Sequence, residues 1–428
     1  MTTDTSIAST ATDAPVKPFP RIFWIALLLE LLERMAFYGV YINLSVYLGK
    51  TVGLTDIETG QLLGVFALVR SWVPLGAGIL ADRIGFRASL SVSFILYAIS
   101  YGLLFLLPMR WGAWLAVMGI AVAGAFLKPV IPATVRLYSP EERRTVGFSY
   151  FYASVNAGSV VGKTLTKIVR EMVSLRASML NAIVACLVAL GITLTLFKEP
   201  KSTEAPEKAK QESAPKANNP LTDVFAAAKN FPLSMFIILI SGYYLLIEQF
   251  YQTFPTYIVR TFGETVPREY ITLINPASIA ILQVFVGRLT AKLAAPMAIS
   301  LGVFVGAISM LLMGAFPSLI GACGSFFVFA LAEMILSPRY YEYISSFAPK
   351  GREGMYMGIA IIPAGVGGLI GGILSGNLIA KFLPENGPKN PLAVWGTYAA
   401  IGVGCALLIF TYGRWIARRR ERLEAAAH

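Results

Sequence analysis

The chain has 428 residues, of which 56% are hydrophobic and 14% charged, with a mean hydropathy of +0.65 and a formal net charge of +12. A composition this apolar excludes a soluble globular protein and marks a polytopic membrane protein. Lys and Arg gather in the N-terminal tail, the even-numbered loops and the C-terminal tail, so the basic excess reports a topology with both termini cytoplasmic rather than a nucleic-acid partner.

Met1 to Pro20 is polar, rich in Thr, Ser and Asp, and has no apolar h-region. No cleavable signal peptide is expected there, and the first span serves as its own insertion signal. At about 20 residues per span, the apolar pattern divides into twelve runs. They cover 22–48, 57–81, 88–107, 111–135, 146–169, 175–197, 232–259, 270–291, 296–316, 319–347, 354–382 and 392–416.

The first span carries Glu30, Glu33 and Arg34, ahead of Phe37, Tyr38 and Tyr41. Each intramembrane charge costs about 2.5–3.5 kcal/mol at a helix centre, which makes function the default explanation. Spacings of three, four and seven put these residues on one broad helix face, suited to line a water-filled cavity. A single Glu–Arg pair would be enough to hold helices together. Two acids against one base leave a carboxylate over that can hold a proton.

Between spans two and three stands Gly78-Ile-Leu-Ala-Asp82-Arg83-Ile-Gly85-Phe-Arg87, a tight loop alternating glycine and charge. It resembles the loop motif of the major facilitator superfamily, in which the Asp and Arg brace the ends of neighbouring helices. Span four contains Lys128-Pro129. Span five contains Phe151-Tyr152-Ala-Ser-Val-Asn156-Ala-Gly158, then Lys163 and Lys167. Lys163 lies seven residues past Asn156 and shares its face, which would add a cation to the cavity. The alternative is that both lysines snorkel to the outer interface.

From 198 to 222 the composition turns to Lys, Glu, Ala, Pro and Ser, which cannot bury a core and predicts a flexible cytoplasmic linker. It separates an N-terminal six-helix half, 1–197, from a C-terminal one, 223–428. The halves echo each other. Glu248 in span seven answers Glu30 and Glu33, and Glu333 with Pro338 in span ten answers Lys128-Pro129. Span eight adds Asn275-Pro276. The run Arg418-Arg419-Arg420 reads as an anchor for lipid headgroups.

Taken together, these stretches resemble the proton-dependent oligopeptide transporter family, the peptide and nitrate branch of the major facilitator superfamily. Glu30 to Tyr38 is similar to its E-x-x-E-R-F-x-Y-Y signature, with Met35 for Phe and Phe37 for the first Tyr. Phe151 to Gly158 is similar to F-Y-x-x-I-N-x-G, with Val155 for Ile. Lys-Pro, Glu-Gln, Asn-Pro, Glu with a later Ser-Pro, and Ala348-Pro349-Lys350 follow in the family's order.

The resemblance implies an all-α integral membrane fold of 12 transmembrane helices in two six-helix halves, in the inner membrane. It also implies symport of di- and tripeptides driven by the proton gradient, with no bound cofactor. Glu30, Glu33, Arg34 and Glu248 match the proton-coupling group. Arg34, Tyr38, Lys128, Asn156, Asn275 and Glu333 match substrate-binding positions, Tyr41 and Arg70 are expected to bind substrate beside them, and Lys128 and Glu333 match a pair bridging the halves.

Two positions depart from the family. Many peptide-transporting members carry an Arg in the first helix where this chain has Tyr41, and a Tyr before the Pro of span two where it has Arg70-Ser71. Arg70 is therefore expected to replace the missing Arg as partner of Glu248. Tyr41, Ser71 and Lys163 keep open a second function, transport of a non-peptide small molecule such as an anionic metabolite or nitrate. Three separated Cys, a lone His428, and the lack of a nucleophile–base set or phosphate loop speak against a disulfide framework, a metal site and an enzyme.

Overall fold

The computed structural model describes residues 18–198, 229–349 and 353–427. The N-terminal tail to residue 17, most of the expected linker, Lys350 and His428 lie outside the described residues.

Seven helices precede the linker: α1 (Arg21–Lys50), α2 (Asp56–Ile84), α3 (Phe86–Leu106), α4 (Arg110–Leu127), α5 (Val130–Tyr138), α6 (Arg144–Met172) and α7 (Met179–Thr195). Nine follow it: α8 (Phe231–Gln252), α9 (Phe254–Phe262), α10 (Arg268–Ile271), α11 (Ile274–Thr290), α12 (Ala295–Ala315), α13 (Leu319–Ser345), α14 (Glu353–Ile359), α15 (Ile362–Phe382) and α16 (Pro391–Ala427). They make twelve spans, because four runs expected as single helices are each split in two. The breaks fall at Lys128-Pro129, before Pro255, ahead of Pro276 and before Pro363. Proline offers no N–H and crowds the carbonyl four residues back, so the chain restarts there as a new helix. Pro74 and Pro338 sit inside α2 and α13 without such a break. The last helix runs past the expected end at 416, carried on by the helix-favouring Arg, Glu and Ala of its tail.

Among the described residues, nine segments are long and apolar enough to cross a membrane by length and composition. Helix α1 misses that standard through its buried charges, α6 through its many polar and small residues, and α7 through its 17 residues. Helix α2 opens on a capping box, in which the Thr55 side chain accepts from the Glu58 N–H while Glu58 accepts from Thr55. It runs through Asp82 and Arg83 and closes at Gly85, whose φ of +89° suits glycine. Arg83 is exposed, and the Asp82 side chain lies outside the described ones. Arg87 donates to the Leu194 carbonyl, tying the start of α3 to the end of α7.

Among the described residues two large apolar cores form, one built from Phe23 to Phe197 and one from Leu233 to Tyr412, with a small third cluster of Val286, Ala330 and Met334. Helix α1 packs on α6 and α7, and reaches across the seam between the halves to α8 and α9; α2 crosses it to pack along α15. The seam is sealed at the end where α1 stops and α2 starts. Arg260 holds Asp56 at 2.8 Å, Arg170 holds Glu269 at 2.8 Å, and Lys50 pairs with Glu264. At the opposite end, which carries both ends of the described chain, no ion pair among the described residues joins the halves. Tyr152 and Tyr341 are 63% and 48% exposed there.

Backbones touch where α2 meets α15. A Cβ on Gly60 would lie 2.3 Å from the Gly372 carbonyl oxygen, an overlap that only backbone movement relieves. Gly60→Val should therefore part the seam, at about 1–3 kcal/mol for overpacking. The check is labelling of a Ser45→Cys reporter by an impermeant thiol reagent, expected to rise in the Gly60→Val background.

Candidate functional site

Helix α1 places Glu30, Glu33 and Arg34 inside the N-terminal half, against α3 and α6. Arg34 Nε lies 3.0 Å from Glu30 Oε1 and 2.5 Å from Glu33 Oε2, and the two carboxylates are 3% and 1% exposed. One guanidinium thus answers two acids. The remaining Glu33 oxygen accepts from Tyr97 of α3 at 2.6 Å. Tyr97 carries no signal in the sequence, because its role depends on how α3 is packed against α1.

One and two turns further along α1 come Tyr38 and Tyr41. Tyr41 donates to Glu248 Oε2 at 2.7 Å, and Arg70 Nη2 lies 2.6 Å from Glu248 Oε1, so both oxygens of this second-half acid are held by the first half. The Arg70 guanidinium also stands over the rings of Phe37, Tyr41 and Phe66, at 5.7, 5.4 and 5.6 Å. Tyr41 stacks on Tyr251 of α8 with centroids 4.5 Å apart. The arginine expected to reach Glu248 comes from α2, and Tyr41 contributes a hydroxyl where many relatives of this type carry the cation.

The other expected residues line the same seam without all meeting. Lys128, at the break between α4 and α5, donates to the Arg70 carbonyl at 3.2 Å. Glu333 on α13 accepts from Asn275 of α11 at 3.2 Å. Lys128 and Glu333, expected as a bridging pair, are not joined. They sit on opposite halves, and the seam is sealed at the other end. Asn156 is exposed and forms no hydrogen bond with a described residue; Tyr38 is half-buried and lies 6.2 Å, ring to ring, from Tyr251.

A second polar network, closer to the sealed end, is invisible in the sequence. Glu269 is fully buried and accepts from Asn43 at 3.0 Å and from Arg170 at 2.8 and 3.1 Å, while Arg268 donates to Asn43 at 2.6 Å. Arg268-Glu269 reads in one dimension as a solvated loop end before span eight. The one cue in the sequence is Asn43, a polar residue among Gly39, Val40, Val46 and Tyr47 on α1. In the adjoining loop, the hydrogen bond from Lys50 holds the Glu264 carboxyl below its ordinary range.

The two α6 lysines part company. Lys167 reaches Glu171 at 2.6 Å toward the outer edge, as snorkelling would have it. Lys163 is instead 2% exposed, inside the protein.

The geometry is that of two helical bundles around a shared, charge-lined seam, and the comparisons agree with it. The profile of the Major Facilitator Superfamily matches residues 26–372. Dipeptide and tripeptide permease B of Xenorhabdus bovienii is 31% identical over 160 residues, which span 36% of this chain and 32% of that protein. Multidrug resistance protein MdtH of Photorhabdus laumondii is 22% identical over 377 residues, 87% of this chain and 90% of that protein. A crystal structure of a peptide transporter POT in complex with sulfate superposes with a TM-score of 0.75 at 17% identity, covering 95% of this chain and 97% of that one. With the profile spanning most of its length and the twelve-span architecture in two halves, the chain belongs to the Major Facilitator Superfamily.

Proposed function

We propose that the protein is a proton-coupled symporter that imports di- and tripeptides across the inner membrane by alternating access. The observation that carries this reading is the buried Glu30–Glu33–Arg34 cluster of the N-terminal half, together with a half-buried acid of the other half, Glu333, held by Asn275. A zwitterionic peptide needs a cation at one end and an anion at the other. Arg34 and Lys128 supply the first from the N-terminal half, and Glu333, oriented by Asn275, supplies the second. Tyr38, Tyr41 and Asn156 complete the pocket between them. The likenesses to a permease named for dipeptides and tripeptides and to a peptide transporter support the substrate class.

With both termini cytoplasmic, the sealed end faces outward and the cleft opens inward. Residues 1–197 and 223–428 act as two bodies joined by 198–222, rocking about the midplane within the lipid bilayer. Protons enter from outside onto Glu30, Glu33 or Glu248. Neutralising a carboxylate frees Arg34 or Arg70 to meet substrate, and loss of the proton inside restores the pairs. The Lys128–Glu333 pair forms in the opposite state, closing the inner end. The proton gradient is the energy source, with no bound cofactor.

A second reading, transport of a non-peptide anion such as nitrate or an anionic metabolite, is favoured by the buried cation Lys163. Uptake of labelled dialanine into liposomes containing the purified protein decides between them. Uptake driven by an inward proton gradient is the expected result; no uptake by folded protein would select the anion.

A further inference from the structure

Lys163 sits at a tight helix contact. A Cβ on Gly162 would lie 2.1 Å from the Met35 carbonyl oxygen, so the backbones of α6 and α1 touch there. This approach carries the Lys163 side chain across α1 to the seam. Its Nζ stands 5.6 Å from the Tyr38 ring centroid and 5.9 Å from that of Tyr251, one ring from each half. Among the described residues no carboxylate lies within ion-pair distance of it and no hydrogen bond holds it. The nearby acid, Glu269, is saturated by Arg170 and Asn43.

The other cations of the seam are all engaged. Arg34 faces two glutamates, Arg70 faces Glu248, and Lys128 donates to a carbonyl. Burying an ammonium group with only ring faces for company leaves much of its desolvation uncompensated. As a structural element Lys163 is therefore a liability, and a bound anion would remove it.

We propose that Lys163 is a specificity-determining residue that binds an anionic group of the substrate, giving the transporter a preference for short peptides with an acidic side chain. The inference rests on the peptide reading above. Arg34 and Lys128 are left for the terminal carboxylate and Glu333 for the amino group. Tyr38 lies one helical turn from Arg34, so Lys163 takes a side-chain carboxylate at a separate point of the same cavity.

The test compares uptake of dialanine and alanyl-glutamate in proteoliposomes containing wild-type protein, Lys163→Met or Lys163→Arg, with thermal unfolding of each in the absence of substrate. The ratio of the KM for dialanine to that for alanyl-glutamate is expected to fall about ten- to a hundredfold in Lys163→Met, the worth of a charge-assisted hydrogen bond, and to recover in Lys163→Arg. Lys163→Met is also expected to melt higher than wild type, the opposite of what loss of a structural lysine would give. An unchanged ratio alongside working dialanine uptake would overturn the role of Lys163 and leave peptide transport standing. Wild-type protein that imports neither peptide would overturn both.

Discussion

Glu33→Gln is expected to reduce gradient-driven dialanine uptake to the level of empty liposomes while leaving exchange between substrate-loaded liposomes intact. The substitution keeps the shape of the side chain and an oxygen for Tyr97, whose hydroxyl sits 2.6 Å from Glu33 Oε1. What it removes is titration. With Glu33 neutral for good, Arg34 keeps a single acid, Glu30 at 3.0 Å, and the cluster loses the surplus carboxylate on which a proton can be traded. A proton gradient does work only through a group whose proton affinity differs between the two orientations, so uncoupled exchange survives the change and accumulation does not. Glu30→Gln belongs in the same experiment, because Glu30 and Glu33 share one guanidinium, Arg34. Gradient-driven accumulation by both variants would remove this cluster from the coupling mechanism.

The second large effect concerns Arg70 and Glu248. Arg70→Met and Glu248→Gln should each abolish transport, and the double variant should be no worse than either. Removing one member leaves the other charge buried, at about 3–5 kcal/mol, whereas removing both leaves two neutral groups. A double-mutant cycle on uptake and on thermal stability should therefore return a coupling energy of at least about 1.5 kcal/mol, and additive losses would show that the two act separately. Methionine is the better replacement for Arg70 because it fills some of the space among Phe37, Tyr41 and Phe66 over which the guanidinium stands. Tyr41→Phe, which removes one hydrogen bond to Glu248 and leaves the ion pair, should cost about 1 kcal/mol by the same measurement.

The juxtaposition of Arg70 with Glu248 was legible only through the family resemblance: Tyr41 stands where many members carry a further arginine, and Arg70 is the cation that departs from the pattern one span away. The Glu30–Glu33–Arg34 cluster is more legible still, since its members are neighbours on one helix and their cost in a membrane makes them conspicuous. The helix breaks were harder. Proline stands at each of them, yet Pro74 and Pro338 sit within unbroken helices, so the residue alone does not locate a break. Contacts between residues far apart in the chain, such as Asn43 with Glu269 or Tyr97 with Glu33, leave no periodic trace. The separation of Lys128 from Glu333 depends on which end of the seam is closed, a property of the conformation rather than of either residue.

The sealed end also sets how readily the molecule can change its mind. Each half is held together by its own apolar core, but beside the α2–α15 contact the sealed end is stitched by Lys50 with Glu264, Asp56 with Arg260, and Arg170 with Glu269. When such a seam opens, every partner regains hydration: the exposed Lys50–Glu264 pair is worth only about 0–1 kcal/mol, and for the buried Arg170–Glu269 pair the desolvation cost offsets much of the attraction. An oily seam of the same area would be hard to wet and slow to part. A joint made of soluble groups between two insoluble bodies lets the orientations stand close in free energy, so that on the proposed mechanism a single proton or a bound substrate would be enough to tip the balance.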